Sequence, residues 1–563
     1  MIQHLDHLIA AFSAVFELRN LILMAVGVVV GLIAGAIPGF TITMAIVLTL
    51  PFTFGMPPVE GLSTMLGVYV GGLSGGLMSA ILTGIPGTPS AVATTFDGFT
   101  MARAGRPGLA LGIGVWSSFF GGLLSAVLLS LIAPQLAHIG LEFGPWDFFS
   151  LVVFALTIAA SLSDEDLLKG LIAGVFGILV ACFGEDQING VARFTFGIDA
   201  LEQGFAFLPV LVGLFAFSQL MSDIRDPKTA TEALSARGAT SVKIEHVNAI
   251  KAIFRRWGVW LRSSLIGVFV GVLPAAGSSI SNILAYDQAK KASKYPEKFG
   301  TGIPDGIVAS ESANNATAGG ALITMMALGI PGDAVTAVML GALLIHNIAP
   351  SPTFIGTQPV LAYAIIVAFF LAHFFMVGFQ SFSLRLFVMI MRVPLYVLAA
   401  VILAYCAIGV FSLHNVDFDM WTLLIFGVVG YAMVRLGFPL TPMILGVVLG
   451  PIAEVNLSRS LATSSDLALF VTRHWSLFFL ILAAFSLIYP WFQRARGKRK
   501  WTLGYAPALC IALSLPLFLM GGYVRPVIAA ALSLFGLWLI WRRWRDGWRL
   551  EAGAEAAVPL HQG

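Results

Sequence analysis

Residues 311–352 read ESANNATAGGALITMMALGIPGDAVTAVMLGALLIHNIAPSP. The stretch is apolar enough for a bilayer, yet it carries a carboxylate, two adjacent amides, a Gly-Ile-Pro-Gly break and an aspartate. In hydrocarbon each of these groups is costly unless protein, water or a ligand satisfies it. A helix that enters at Pro304 places Asn314 about 15 Å along its axis, near the middle of a bilayer. Gly329-Ile330-Pro331-Gly332 then ends that helix, and Asp333 stands where another can start. Polar side chains beside a broken helix at membrane depth mark a solute or ion pathway.

Around this stretch, 58% of the 563 residues are hydrophobic, 11% are charged, and the mean hydropathy is +0.90. Such a composition excludes an ordinary soluble domain and defines an all-α polytopic membrane protein. The recurring apolar runs predict about 12–15 transmembrane spans. A formal net charge of +3 offers no large basic surface for nucleic acid. Cys182, Cys406 and Cys510 lie in apolar runs at no metal or redox spacing and read as small core residues. Residues 1–20 carry Asp6 and Glu17 without a basic leading region, so they read as an amphipathic interfacial helix, not a cleaved leader.

The chain divides into two halves, 21–222 and 257–493. The polar linker 223–256 separates them, and an extension, 494–563, holds two further spans. The halves repeat. GLIAGAIPG (31–39) aligns with GVFVGVLPAAG (267–277), placing Pro38 on Pro274 at an offset of 236. GGLMSAILTGIPGTPSAV (75–92) aligns with the segment from Gly320 around GIPGDAV, placing Pro86 on Pro331 at an offset of 245. Charge then orients the copies. The loop 55–61 has no Lys or Arg, whereas its counterpart carries Lys290, Lys291, Lys294 and Lys298. After the second break the order reverses: the first copy ends at Arg103 and Arg106, the second at 346–358 without Lys or Arg. Because Lys and Arg favour the cytoplasmic side, the copies are expected in opposite orientations, with broken or re-entrant helices.

A helix that starts inside a membrane presents unpaired N–H groups and the positive end of its dipole, which suits an anion. The expected substrate-binding residues therefore cluster at the breaks. In the first half they are Pro38, Gly39, Thr41, Gly84, Pro86, Gly87, Thr88 and Ser90. In the second they are Gly277, Ser278, Asn314, Asn315, Gly329, Pro331 and Gly332. Thr88 is a candidate cap, with Pro89 at the first helical position. Asp333 stands where the first half has Thr88; beside an anion it either caps its own helix or helps to hold a cation, with Asn314 and Asn315 as further cation ligands. Thr43 and Ser279 are weaker candidates. Glu311 reads as solvated or paired with a lysine of 287–303, and Asp97 as a local cap or a partner of Arg103. No nucleophile–base or metal-ligand spacing supports catalysis, so no enzyme activity, catalytic residue, metal or organic cofactor is expected.

Several stretches together resemble one family. They are GAIPG (35–39), GIPGTPSAVATTFDGFTMARAGRPGLAL (84–111), RFTFGIDALEQGFAFLPVLVGLFAFSQLM (193–221), YDQAKKASKYPEKFGTGIPDGIVASESANNA (286–316), LGIPGDAVTAVMLGALLIHNIAPSP (328–352) and PLTPMILGVVLGPIAEVNLSRSL (439–461). As an ordered set they resemble the TctA-type large membrane subunit of the tripartite tricarboxylate transporters. The resemblance implies a bacterial inner-membrane permease for organic carboxylates, driven by a cation gradient with Na⁺ as coupling ion. It also implies a periplasmic solute-binding protein and a small membrane subunit as partners, in contact with membrane lipid. The charge pattern puts the N-terminus in the periplasm and the C-terminus in the cytoplasm. Two departures stand out: Ala275-Ala276 where the family has Gly after Pro, and Asn347 and Ser351 where it has glycine. Residues 500–545 either replace the small subunit, dock it, or are an unrelated extension. A passive channel for carboxylates and an intramembrane enzyme remain as rival readings.

Overall fold

The computed structural model describes residues 2–37, 40–162, 166–186, 188–225, 242–382 and 395–548. Pro38, Gly39 and residues 226–241 of the expected linker lie outside them. The first half contains α1 (Ile2–Val15), α2 (Leu18–Ala36), α3 (Ile42–Thr53), α4 (Pro58–Thr83), α5 (Val92–Arg103), α6 (Pro107–Gly140), α7 (Pro145–Leu162), α8 (Leu167–Ala181) and α9 (207–225). The second contains α10 (His246–Phe254), α11 (Trp257–Val272), α12 (Gly277–Lys291), α13 (Pro304–Leu328), α14 (Ala334–Ile345), α15 (Pro359–Phe382), α16 (Leu395–His414), α17 (Asp417–Arg435), α18 (Leu440–Thr463) and α19 (His474–Ala495). The extension forms α20 (Thr502–Leu519) and α21 (Val524–Arg545). Ten of the described helices are long and apolar enough to cross a membrane, which makes the chain a multi-pass α-helical membrane protein. α13 is not among them, because its polar residues lower its hydropathy. Protein surrounds it instead: every residue from Gly306 to Ala327 is buried.

Small residues let these helices meet backbone to backbone, the usual way to pack where lipid is as apolar as leucine. A Cβ on Gly31 of α2 would stand 2.2 Å from the Val68 carbonyl of α4, and one on Gly267 of α11 would stand 2.4 Å from the Ala313 carbonyl of α13. These are repeat-equivalent contacts, since 31 and 267 differ by 236 and 68 and 313 by 245. The same holds at the second breaks. A Cβ on Gly87 would meet the Gly35 carbonyl at 2.1 Å, and one on Gly332 the Gly271 carbonyl at 2.1 Å. The sequence offsets are thus offsets of three-dimensional contact.

The contacts also show the inversion. α2 runs parallel to α4, with Gly27 on Thr64 and Gly35 on Gly72, and α3 then turns back, with Ile42 on Gly72 and Thr53 on Gly61. α11 runs parallel to α13, and α12 turns back past Thr317 at Ser281, Ser310 at Asn282 and Gly306 at Tyr286. These hairpins enter from opposite faces. Along α13, Ser312 lies on Gly121 and Gly319 on Ser125 of α6, so the two helices are parallel. Along α4, Tyr69 reaches Asp333, Ser74 reaches Asn315 and Ile81 lies on Gly114, so α4 runs the other way.

The second breaks differ from the expectation in one respect. α4 and α13 do not stop at the middle; they run 26 and 25 residues and end in left-handed glycines, Gly84 (φ 77°) and Gly329 (φ 71°). The chain then folds back along its own helix, bringing Gly87 to Gly76 and Gly332 to Ala321. α5 and α14 therefore begin at depth, although the Gly-Ile-Pro-Gly turns lie near the ends of their helices.

Candidate functional site

The fold-back places four helix N-termini around one cavity of about 320 Å³. Thr41–Thr43 come from the start of α3 and Thr88–Ser90 from the 3₁₀ turn that leads into α5. Ala275–Ser279 come from the start of α12, and Asp333–Val335 from the start of α14. Leu440 and Thr441, in the first turn of α18, add a fifth. Phe215 and Gln219 of α9 complete the wall. Phe215 lies in a π-helical segment, Val212–Phe217, a local widening common at functional positions. The lining is thus rich in hydroxyls and in the positive ends of peptide dipoles, and among the described residues Asp333 is its one ionisable side chain.

Each wall has a local cause. Thr41 caps α3, its Oγ1 accepting from the Met44 amide at 3.1 Å. Thr88 makes no cap bond; its Oγ1 lies 3.0 Å from Ser90 Oγ, and the Cβ of any residue replacing Gly76 would collide with it. Asp333 caps α14 in a capping box with Thr336, whose amide donates to Oδ1 at 2.8 Å. Its other oxygen, Oδ2, accepts from Tyr69 of α4, so a bond crosses between the repeats at the cavity wall.

Among the expected residues, Thr41, Thr88, Ser90, Gly277, Ser278 and Asp333 line this cavity, as do Thr43 and Ser279. Gly84, Pro86, Gly87, Gly329, Pro331 and Gly332 lie behind it and shape the two fold-backs. Pro38 and Gly39 fall outside the described residues. Asn314 and Asn315 are away from the lining and join α13 to α4. Asn314 Nδ2 donates to the Leu73 carbonyl at 3.0 Å, and Ser74 Oγ donates to Asn315 Oδ1 at 3.0 Å.

Two carboxylates have environments other than those expected. Glu311 is neither solvated nor paired with a lysine: it is fully buried, accepting from Thr94 of α5 at Oε1 and from Ser118 of α6 at Oε2, 2.9 Å. Asp97 does not bind Arg103. It collects the amides of Gly300, Gly302 and Ile303 at 2.7–3.0 Å and the Tyr286 hydroxyl at 2.9 Å, tying α5 to the entry of α13. Arg103 lies instead over the Phe99 ring. Among the described residues no group of three or more His, Cys, Asp or Glu could hold a metal ion, so a cation here would rest on Asp333 with hydroxyl and carbonyl oxygens.

Sequence reasoning passed over Tyr69, Thr94, Ser118, Phe215, Gln219 and Thr441. Phe215, Gln219 and Thr441 lie inside stretches that carried the family resemblance, which marked them without a role. Thr94 lies inside such a stretch as well, whereas Tyr69 and Ser118 do not; all three act across elements, and only the fold shows what they bind.

Inverted repeats of broken helices whose N-termini meet at one cavity define a transport protein of the membrane. The family model "Tripartite tricarboxylate transporter TctA family" matches residues 21–445, and the chain belongs to that family. Two proteins of Agrobacterium vitis are similar to it. One is an uncharacterised 52.8 kDa protein encoded in the TAR-I ttuC′ 3′ region, 33% identical over 501 residues, covering 89% of this chain and 98% of that protein. The other is an uncharacterised protein from the TAR-II ttuC′ 3′ region, 33% identical over 234 residues, covering 41% of this chain and 97% of that protein. No solved structure matches.

Proposed function

We propose that this chain is the large permease subunit of a binding-protein-dependent secondary transporter that imports organic carboxylates, with substrate and a coupling Na⁺ held together in the 320 Å³ cavity. The cavity carries the reading. Its helix N-termini offer preorganised donors to carboxylate oxygens, but among the described residues no Lys or Arg lines it, and the one ionisable side chain there is an acid. A multiply charged anion would face Asp333 in a low-dielectric setting without compensation. A cation between Asp333 and the substrate removes that conflict and makes each ligand require the other, which is coupling. Partners are a periplasmic binding protein and a small membrane subunit. Orientation rests on the basic residues: Asp97 draws the end of α5, with Arg103 and Arg106, beside the lysine loop before α13. That common face is the cytoplasmic one in a bacterial inner membrane, which leaves the N-terminus periplasmic.

The test is uptake of labelled di- and tricarboxylates into proteoliposomes with the purified binding protein and small subunit, with and without an inward Na⁺ gradient. Gradient-driven uptake that Asp333→Asn abolishes is the expected result. Uptake linear in solute, indifferent to Na⁺ and to Asp333, would make the chain a passive channel.

A further inference from the structure

We propose that the C-terminal extension builds a binding pocket for the headgroup of an anionic phospholipid. The ends of α19, α20 and α21 line an open cavity of about 900 Å³, which shares no residue with the transport cavity and lies beyond the residues matched by the family model. Arg496, Arg542, Arg543 and Arg545 line it, against one acid, Asp546, which lies 3.7 Å from Arg545. Phe492, Leu503 and Leu539 form an apolar wall beside the arginines, and Thr502 contributes a hydroxyl. The combination of guanidinium forks above and hydrocarbon below matches a lipid phosphate with its acyl chains.

Position and preorganisation support the assignment. α20 and α21 are 18 and 22 residues long, so their ends lie at the membrane surface. Trp501, Trp541 and Trp544 are exposed at the same ends, as expected for an interfacial aromatic belt. Arg542 is stacked over Trp538 at 5.6 Å and Arg545 over Trp541 at 5.1 Å, contacts that favour this placement of both guanidinium groups. A basic run that only obeyed membrane topology would need neither a cavity nor stacked arginines.

The experiment titrates the full-length chain in neutral detergent with dioleoyl phosphatidylglycerol, dioleoyl phosphatidylcholine or inorganic phosphate, and reads bound ligand by native mass spectrometry. Phosphatidylglycerol is expected to bind at least tenfold tighter than phosphatidylcholine, with no retention of phosphate. Replacing Arg496, Arg542 and Arg545 together by Gln should weaken phosphatidylglycerol roughly 100-fold, at about fivefold for each arginine. Ala506→Trp, which projects an indole from α20 into the cavity and leaves every charge in place, should also weaken it. The control, K498Q/R499Q/K500Q, removes three neighbouring charges outside the lining and should lose less than tenfold. Equal losses in the two triple variants, or unchanged binding in Ala506→Trp, would overturn the pocket in favour of diffuse surface attraction. Phosphate binding as tightly as phosphatidylglycerol would overturn the lipid in favour of a small-anion site.

Discussion

The two repeats share a backbone plan and differ in chemistry at the cavity. Gly35, Gly76 and Gly87 in the first do what Gly271, Ala321 and Gly332 do in the second, down to the same 2.1 Å approach of a virtual Cβ to a carbonyl. At the rim, however, Thr88 and Ser90 hydrogen-bond to each other in the first repeat, whereas Asp333 and Thr336 form a capping box in the second. Geometry that folds the chain back is duplicated, and charge is not. One of two equivalent helix termini thus carries an acid and the other does not, which is the asymmetry that the proposed coupling to a cation rests on.

The shared geometry is the part that breaks hardest. Gly87→Ala and Gly332→Ala each force a methyl group against a backbone carbonyl in a helix pair that has no room to part. Each should cost about 3 kcal/mol, the upper end for overpacking. Thermal unfolding in detergent measures it, and similar losses in both variants are the expected outcome. A loss confined to one would mean that the repeats are equivalent in shape but not in stability.

The chemical difference comes next. Asp333→Asn keeps the size and the cap but removes the charge, and should cut Na⁺-driven uptake at least ~30-fold, equivalent to about 2 kcal/mol of charge-assisted contact. Thr88→Asp makes the first repeat resemble the second and should weaken carboxylate binding through a second acid at the cavity. Uptake indifferent to either change would remove the asymmetry from the mechanism.

How much of this could be read from the chain follows from the range of each interaction. Pro86, Pro274 and Pro331 cannot continue a helix because of their own rings, so these three breaks were legible, as was the offset that pairs Pro86 with Pro331. The inversion was legible because lysine and arginine report on sides independently of packing. The depth of the fold-back was not, since it depends on the notch that Gly76 and Ala321 leave in distant turns of α4 and α13. Nor was the burial of Glu311, whose partners Thr94 and Ser118 are 217 and 193 residues away, on helices with no local sign of contact. For Asn314 and Asn315 sequence gave residue type and depth, and left open whether the amides face a ligand or a neighbouring helix. In the structure they bridge to Leu73 and Ser74.

A smaller asymmetry lies at the first break of each repeat, where Gly39 aligns with Ala275. Ala275 takes φ 60°, a conformation that costs an L-residue about 1–2 kcal/mol, and it lines the cavity. Ala275→Gly relieves that strain but adds the backbone entropy of glycine in the unfolded chain, about 0.5–1 kcal/mol. The net expectation is a stabilisation of about 0.5 kcal/mol, visible as a rise in unfolding temperature. A fall would mean that the methyl group contributes packing at the cavity wall.

The extension has no counterpart in either repeat, and its attachment should respond to pH. Leu517, Met520 and Ala529 pack on Trp475 and Phe478, and Arg525 donates to Glu142 at 2.6 Å in the turn between α6 and α7. The Arg525 hydrogen bond holds the Glu142 carboxyl below the ordinary glutamate range, against a smaller opposing effect of burial. A folded value below the unfolded one means that the pair contributes fully above the ordinary glutamate range and is lost as pH falls below that range through the folded value. With the Glu142 side chain 44% exposed, the contribution is at most about 0.5 kcal/mol. Hydrogen-exchange protection of 521–528 in nanodiscs should therefore fall about twofold between pH 7 and pH 3.5, and Glu142→Gln should show the lower protection already at pH 7. If protection were unchanged in both, the apolar contacts at Trp475 and Phe478 would hold the hairpin without the ion pair.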